Sequence, residues 1–427
     1  MIEQQGAAAR AISPASPAAS APWRAPWQDR RGRFSSLRAA TFALLMLPAA
    51  WYLGGWALGL IGTRARFEVL RAAGLWTAWF LLLSLAVTPA RAVLALPQLP
   101  PLRRMIGLGA LAYALGHLAL YMADQGWRLL HVAAEIAQRF YLTVGFVALL
   151  GLAALGWTST DAWVKRLGGA AWKRLHRLVY GLAALGAFHF MLQSKVDVSL
   201  ALLAVGMLTW LLLWRLLPAG RDRGLLPLLG LAAAAAAAAV VVEWTWFRFG
   251  SKLDPWRVVG GELVLSFGPR PAVQVLLLGV AAALAAELRR LAILGHGGRR
   301  WYPPLAYAGG GALAACVLAA LKLAPFPPDW AAEGAWVAAF ALLGAARTRL
   351  PSEAQRHWLD LFYAACLLHP LWMADLAVPE LGPAADALVA VVALGLAARL
   401  WVASRPAALL MAPVAAWAAF SATAALL

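Results

Sequence analysis

RLGGAAWKRLHRLVYGLAALGAFHF, residues 166–190, sets the terms for the whole chain. Its opening is basic, with Arg166, Lys173, Arg174 and Arg177, and from Leu178 onward it is apolar except for Tyr180 and His189. Segments of that pattern cross lipid with their cations at the cytoplasmic surface. An imidazole carried into the apolar part is expensive to bury, so it is read first as functional.

The rest of the chain has the same character. Of its 427 residues 63% are hydrophobic and only 13% charged, with a mean hydropathy of +0.71. Soluble domains run nearer half apolar and a quarter charged, so the composition points to an all-α integral membrane protein. The 22 Trp, 25 Pro and 37 Gly suit membrane interfaces and interrupted helices. Cys316 and Cys366 lie in separate apolar runs without a CxxC partner, which removes zinc, iron–sulfur and disulfide-framework readings.

Thirteen apolar runs are long enough to span about 30 Å of hydrocarbon: 38–62, 70–88, 105–122, 141–157, 174–192, 198–217, 225–246, 271–291, 303–323, 332–346, 357–377, 384–402 and 406–426. Lys and Arg should gather in alternate loops. With a cytoplasmic N-terminus, 26 of the 37 basic residues and 7 of the 19 acidic ones fall inside, so the whole net charge of +18 sits on the cytoplasmic face. A pI near 11.0 then reports topology, and no nucleic-acid partner is called for. The C-terminus, after an odd number of spans, is expected in the periplasm of a bacterial inner membrane.

Residues 1–37, rich in Ala, Ser, Pro and Arg, read as a disordered cytoplasmic tail. Arg30 and Arg31 precede a hydrophobic run as in a twin-Arg export signal, but that run is long and lacks a small-residue cleavage site. No GxGxxG follows a strand pattern and no Walker motif is present, so hydride chemistry and ATP-driven transport are disfavoured. The glycines at 297–298 and 309–311 read as close helix packing. The loop at 243–263, EWTWFRFGSKLDPWRVVGGEL, reads as an aromatic interface belt that could also dock a periplasmic partner.

Seven histidines are the candidate chemistry. His117 lies within the third span, and His176 and His189 lie on the fifth. Singly, each is as readily a packing residue; together on hairpin helices they favour b-type haem, whose usual axial ligand is a neutral imidazole. His131 and His296 read as loop and interface residues, while His357 and His369, twelve apart, would carry a second cofactor only if the eleventh segment holds one. Depth sorts the first three. At 1.5 Å per residue, His117 lies about 20 Å and His189 about 22 Å beyond Arg104 and Arg174, whereas His176 is only about 3 Å in. His117 and His189 are therefore the expected axial pair of one outer haem. His176 is then a ligand of a second, inner haem, or a quinol or flavin contact. Arg104 and Arg174 are the candidate cofactor-facing cations, in a cytoplasmic region where Lys165, Arg166 and Lys173 could also attract a flavin phosphate or a lipid headgroup.

Four stretches carry a family resemblance: GLWTAWFLLLSLAVTPAR at 74–91, LRRMIGLGALAYALGHL at 102–118, YLTVGFVALLGLAALGWTST at 141–160 and the quoted 166–190. Over residues 40–217 the chain resembles the ferric-reductase-like transmembrane family, and within it the MsrQ (YedZ) family of membrane subunits. The resemblance implies a six-helix unit, 38–217, holding haem b and, as a further cofactor, FMN. Such a unit draws electrons from quinol or a cytoplasmic flavin reductase. It passes them to a separate periplasmic molybdenum-cofactor subunit, MsrP-like, that reduces methionine sulfoxide in protein repair. The chain would then be the electron-transfer subunit of an oxidoreductase complex. Residues 218–427 depart from the family as an additional multi-span region of unreadable role. Other ferric-reductase-like acceptors, a multi-span transporter and a non-redox scaffold are the competing readings.

Overall fold

The structure, a computed structural model, describes residues 25–29, 31–59, 61–94, 97–194, 197–218, 224–263, 269–294, 307–313, 315, 330–356, 358–363, 366 and 382–424. Among these the only β pairing is an isolated bridge between Gln28 and Phe34. The protein is an all-α polytopic membrane protein.

α1 (Ser36–Ala57) starts where Ser35 Oγ accepts the Arg38 N–H, satisfying a donor that the first turn cannot. α2 (Ala65–Leu94) and α3 (Leu102–Asp124) pack as a hairpin. α4 (Leu129–Gln138) is a short amphipathic helix leading into α5 (Phe140–Trp157). α6 (Asp161–Leu167), capped by Thr160, and α7 (Gly169–His176) meet at Gly168, whose φ of +75° favours glycine. α8 (Val179–Gln193) and α9 (Ser199–Trp214) complete the first unit. Then come α10 (Leu225–Gly250), the short α11 (Pro255–Gly260), a 3₁₀ turn at Gly261–Leu263 and α12 (Pro271–Leu294). α13 (Trp330–Arg347), α14 (Gly382–Ala403) and α15 (Arg405–Ala424) follow.

Seven of the described helices are long and apolar enough to cross a membrane, all before residue 291; Ser199–Trp214, Trp336–Arg347 and Ala387–Ala403 are shorter apolar helices. The expected spans 303–323 and 357–377 fall largely outside the described residues. So do Gly297, Gly298, Cys316, His296, His357 and His369. Because successive long helices form hairpins, their ends gather at two rims. The upper rim holds the α1–α2, α3–α5, α8–α9 and α10–α12 connections, and the lower rim the α2–α3, α5–α8 and α9–α10 connections.

Pro48, Pro89 and Pro413 lie inside helices, and at the first two the opening is closed by a side chain. Pro89 has no N–H for the Leu85 carbonyl one turn earlier, and Arg215 Nη2 donates to that carbonyl at 2.9 Å. Pro48 opens α1; there Ala49 N–H donates to Tyr113 Oη at 2.8 Å, and the Tyr113 hydroxyl donates to Leu45 O at 2.8 Å. Lipid offers backbone groups no such partners, so these links bind α9 to α2 and α3 to α1.

The larger core runs from Leu45 through Phe80, Ala110, Leu152, Ala187 and Trp210 and continues through Leu228 and Ala235 of α10 and Val275 and Ala286 of α12. A second core, from Ala315 to Ala415, is built on Trp336, Phe340, Leu343, Leu400 and Met411. Within it a side chain at Gly311 would strike the Phe340 carbonyl, and one at Gly344 the Tyr307 carbonyl. The close packing expected at the 309–311 glycines is thus present at Gly309 and Gly311, while Gly310 has nothing within 4 Å of a built Cβ.

Candidate functional site

His117 points from α3 at the upper part of α2. Its Nδ1 lies 2.9 Å from the Leu70 carbonyl oxygen, and its ring lies against Gly74, four residues on, where a Cβ would stand 3.1 Å from Nδ1 and Cε1. Residues i and i+4 share one helix face, so the carbonyl and the bare Cα together form a slot for the imidazole edge. α5 offers α8 the same slot. There His189 Nδ1 lies 2.8 Å from the Tyr141 carbonyl oxygen, and a Cβ at Gly145 would be 2.7 Å from His189 Nδ1 and Cε1. Phe140 meets Phe188 edge-to-face at 6.3 Å between centroids, fixing α8 on α5 beside the slot.

These bonds decide the tautomers. A carbonyl oxygen only accepts, so Nδ1 carries the proton in both rings. A neutral imidazole then has its lone pair on Nε2, the form in which histidine binds iron. Both rings are half-buried, and they are near enough to act on one another electrostatically. Two rings oriented through Nδ1, with glycine removing steric competition, fit an axial pair for haem. His117 is held near the start of α2 and His189 near the start of α5, which places both toward the upper rim.

His176 is arranged differently. It ends α7, and Arg177 and Leu178 form a turn before α8 begins. The step is a tightened one, with both residues in the right-handed helical region and bonded back to Arg174 and Leu175, so that 169–193 still forms a single span. The ring stacks on Trp172 at 3.9 Å between centroids, and its Nε2 lies 3.3 Å from Thr158 Oγ1. Trp172 Nε1–H donates to Thr158 O at 2.8 Å, tying α7 to the end of α5. With the Thr158 hydroxyl donating to Ala154 O at 2.8 Å, its oxygen is left to accept from His176 Nε2–H. His176 thus uses the nitrogen that the other two keep free.

A cationic group surrounds this lower position. The Arg215 guanidinium lies 4.9 Å from the Tyr180 ring centre, and Arg103 acts electrostatically on both Tyr180 and His176. Arg104 Nη1 instead pairs with Asp161 Oδ1 at 2.7 Å, in the open, and Arg174 is exposed at the end of α7. Both lie at the lower rim, at the opposite ends of their spans from His117 and His189. The residue types alone could not single out Gly74, Gly145, Thr158, Trp172, Arg103, Tyr180 or Arg215. Their roles depend on which helices pair.

A second network at the upper rim involves Tyr141. Arg139 Nη1 donates to Tyr141 Oη at 3.2 Å and Nη2 pairs with Glu135 Oε1 at 2.6 Å. Tyr121 donates its hydroxyl to Glu135 Oε2 at 2.6 Å. That hydrogen bond first, and then Arg139 and the nearby His131, hold the Glu135 carboxyl below its ordinary range.

An intramembrane histidine pair on a helical hairpin bundle defines a class, and the comparison with known families agrees: residues 71–187 match the ferric reductase like transmembrane component. Among curated relatives, the chain is 43% identical over 197 residues to the protein-methionine-sulfoxide reductase heme-binding subunit MsrQ of Rhodospirillum rubrum, covering 46% of this chain and 92% of that one. It is 37% identical to the protein of the same name from Azospira oryzae, over 46% of this chain and 86% of the relative. For the Caulobacter vibrioides protein the identity is 36%, over 39% and 80%. The chain belongs to the MsrQ family, with roughly half of its length beyond what these relatives match. No solved structure matches it.

Proposed function

We propose that the chain is the membrane electron-transfer subunit of a methionine-sulfoxide reductase system, with haem b held between His117 and His189. The observation that supports this is the paired tautomer: both rings donate through Nδ1 to a backbone carbonyl and so keep a lone pair on Nε2 available for iron. When bound, the haem supplies a one-electron iron couple. The chain's own residues do the positioning. Leu70 and Tyr141 carbonyls orient the rings and increase their basicity, Gly74 and Gly145 admit them, and the apolar faces of α3 and α8 restrict water.

The finer assignments belong to the same proposal. Electrons enter at the lower, cytoplasmic rim from quinol or a flavin reductase. His176, with Arg103, Tyr180 and Arg215 about it, is the contact there for quinol, FMN or a second haem, and Arg104 and Arg174 attract anionic donors to that rim. Electrons leave at the upper, periplasmic rim for an MsrP-like molybdenum-cofactor subunit that performs methionine-sulfoxide reduction. Residues 38–217 are the haem unit of this bacterial inner-membrane protein, 1–37 its cytoplasmic tail, and 218–427 an additional membrane region. A periplasm-active reporter fused after Leu427 tests the orientation.

A reduced-minus-oxidised visible spectrum of the purified protein tests the core of the reading. His117→Ala and His189→Ala should each abolish the low-spin haem bands, and His176→Ala should retain at least one haem while slowing its reduction. Loss of all haem in His176→Ala alone, with His189→Ala unaffected, would place the ligand pair at His117 and His176 instead.

A further inference from the structure

Where α10 ends and α12 begins, the upper rim holds charges that the haem reading does not use. Glu243, on α10, is 1% exposed and Glu262, in the 3₁₀ turn, 4%. Arg270, just before α12, donates through Nη2 to Glu243 Oε1 at 2.7 Å and through Nη1 to the Val258 carbonyl at 3.0 Å. Its Nε stands 3.7 Å from Glu262 Oε1. Glu262 Oε2 accepts the Val273 N–H at 3.4 Å, in the first turn of α12. Gly261 makes room for the guanidinium, since a Cβ there would lie 2.5 Å from Arg270 Nη1. The two carboxyl groups are thus brought together on one guanidinium. Among the described residues each nonetheless keeps a buried oxygen with no donor, Glu243 Oε2 and Glu262 Oε1.

Two carboxylates and one guanidinium leave a net charge of −1, with both carboxyl groups buried and Arg270 reaching the surface, and buried charge persists only when compensated. Among the described residues the neighbouring elements do not supply the missing cation. From the α8–α9 connection Asp197 faces Arg270 and Arg71 and adds negative charge. On α11 Arg257 is exposed and paired with Asp254, and Arg248 of α10 lies over Phe249. The faces of α8 and α9 packed nearby are apolar, with Met191, Ala201 and Leu202. Two carboxyl groups can hydrogen-bond each other only when one carries hydrogen, and a single proton placed between them also cancels the residual charge.

We propose that Glu243 and Glu262 bind one proton between them at neutral pH, with Arg270 as their fixed counter-charge, so that the upper rim carries a proton-binding site. The step is an acid–base one: an O–H bond forms on one carboxylate, the other accepts the hydrogen bond, and no electron moves. The proton belongs to the pair. Loss of that proton at alkaline pH restores the −1 charge and drives apart the 3₁₀ turn and the end of α10, which the shared hydrogen holds together. The site stands on these residues alone and is independent of haem.

Infrared difference spectra of the full-length purified protein, titrated from neutral to alkaline pH, test this. One protonated-carboxyl C=O band, shifted in D₂O, should be present at neutral pH and vanish on alkalinisation; it should be missing from both Glu243→Gln and Glu262→Gln. Each single variant leaves one carboxylate for Arg270 and should unfold near the wild-type temperature, whereas the double variant strands Arg270 and should unfold earlier. Where a single variant fails to accumulate, the wild-type band and its isotope shift still decide. The proposal is overturned if no such band exists at neutral pH, if the band persists in both single variants, or if sodium at constant pH removes it, which would make the site one for a metal cation.

Discussion

Gly145→Ala is the sharpest probe of the histidine slots. A methyl group there would stand 2.7 Å from His189 Nδ1 and Cε1, whereas carbon contacts settle near 3.5 Å, so the ring must retreat by about 0.8 Å. The Nδ1–O distance to Tyr141, now 2.8 Å, would open to roughly 3.6 Å if the ring moved straight back, which is no longer a hydrogen bond. Losing that bond costs about 0.5–1.5 kcal/mol, and crowding a packed site about 1–3 kcal/mol more. The sum, roughly 1.5–4.5 kcal/mol, predicts a 10- to 1000-fold weaker hold on haem. At Gly74 the methyl would sit 3.1 Å from the His117 ring, a retreat of only about 0.4 Å, so Gly74→Ala should weaken haem retention by tenfold or less. Gly181 and Gly186 of α8 have nothing within 4 Å of a built Cβ; alanine there should leave haem untouched and favour the helix by about 1 kcal/mol. The assay is haem content per purified protein, with haem titration of the haem-free form. The reasoning fails if Gly145→Ala matches Gly181→Ala, or if Gly74→Ala loses more haem than Gly145→Ala.

Three further outcomes follow from particular contacts. Tyr113→Phe removes the hydroxyl that bridges Ala49 N–H and Leu45 O at the Pro48 opening; it should lower stability by about 1–3 kcal/mol while haem content per folded protein is unchanged, as read by thermal unfolding. The Glu135 carboxyl is held below its ordinary value of 4.5 by the Tyr121 hydroxyl and Arg139. A depressed carboxylate stabilises above its unfolded pKa and loses that contribution as pH falls through the lower folded value. The protection of the α4 amides, taken relative to the intrinsic exchange rate at each pH, should therefore fall on acidification below about pH 4, and Glu135→Gln should flatten that dependence. Finally, residues 1–224 contain all three span histidines, but α10 and α12 share the larger core; a 1–294 fragment should hold haem with a higher unfolding temperature than a 1–224 fragment, and equal stability would show that the added helices contribute no packing.

Most of the helical layout was legible because lipid makes hydropathy nearly a direct record of span position. The expected run 225–246 became Leu225–Gly250, and 406–426 became Arg405–Ala424. What periodicity could not show was the turn at Arg177–Leu178. Those residues are as helix-compatible as their neighbours, and the turn belongs to a local arrangement in which Trp172 and His176 fold back on Thr158. Likewise Arg215 read as a cytoplasmic charge obeying a topological rule. Its partner, the Leu85 carbonyl freed by Pro89, lies 130 positions away.

The histidines were found through the cost of burying them, and depth alone paired His117 with His189. Nothing in that reasoning could distinguish a packing imidazole from a ligand, because both are neutral and buried. The distinction lies in which nitrogen the surroundings engage. Leu70 with Gly74, and Tyr141 with Gly145, have the same carbonyl–glycine spacing on two different helices, and each receives a ring through Nδ1. A ring serving only to pack helices would be satisfied by a donor or acceptor at either nitrogen, as His176 is at Nε2. Two independent slots of one design, both engaging Nδ1 and leaving Nε2 unused, are what the proposed haem reading rests on, and they take the histidine pair beyond a burial pattern.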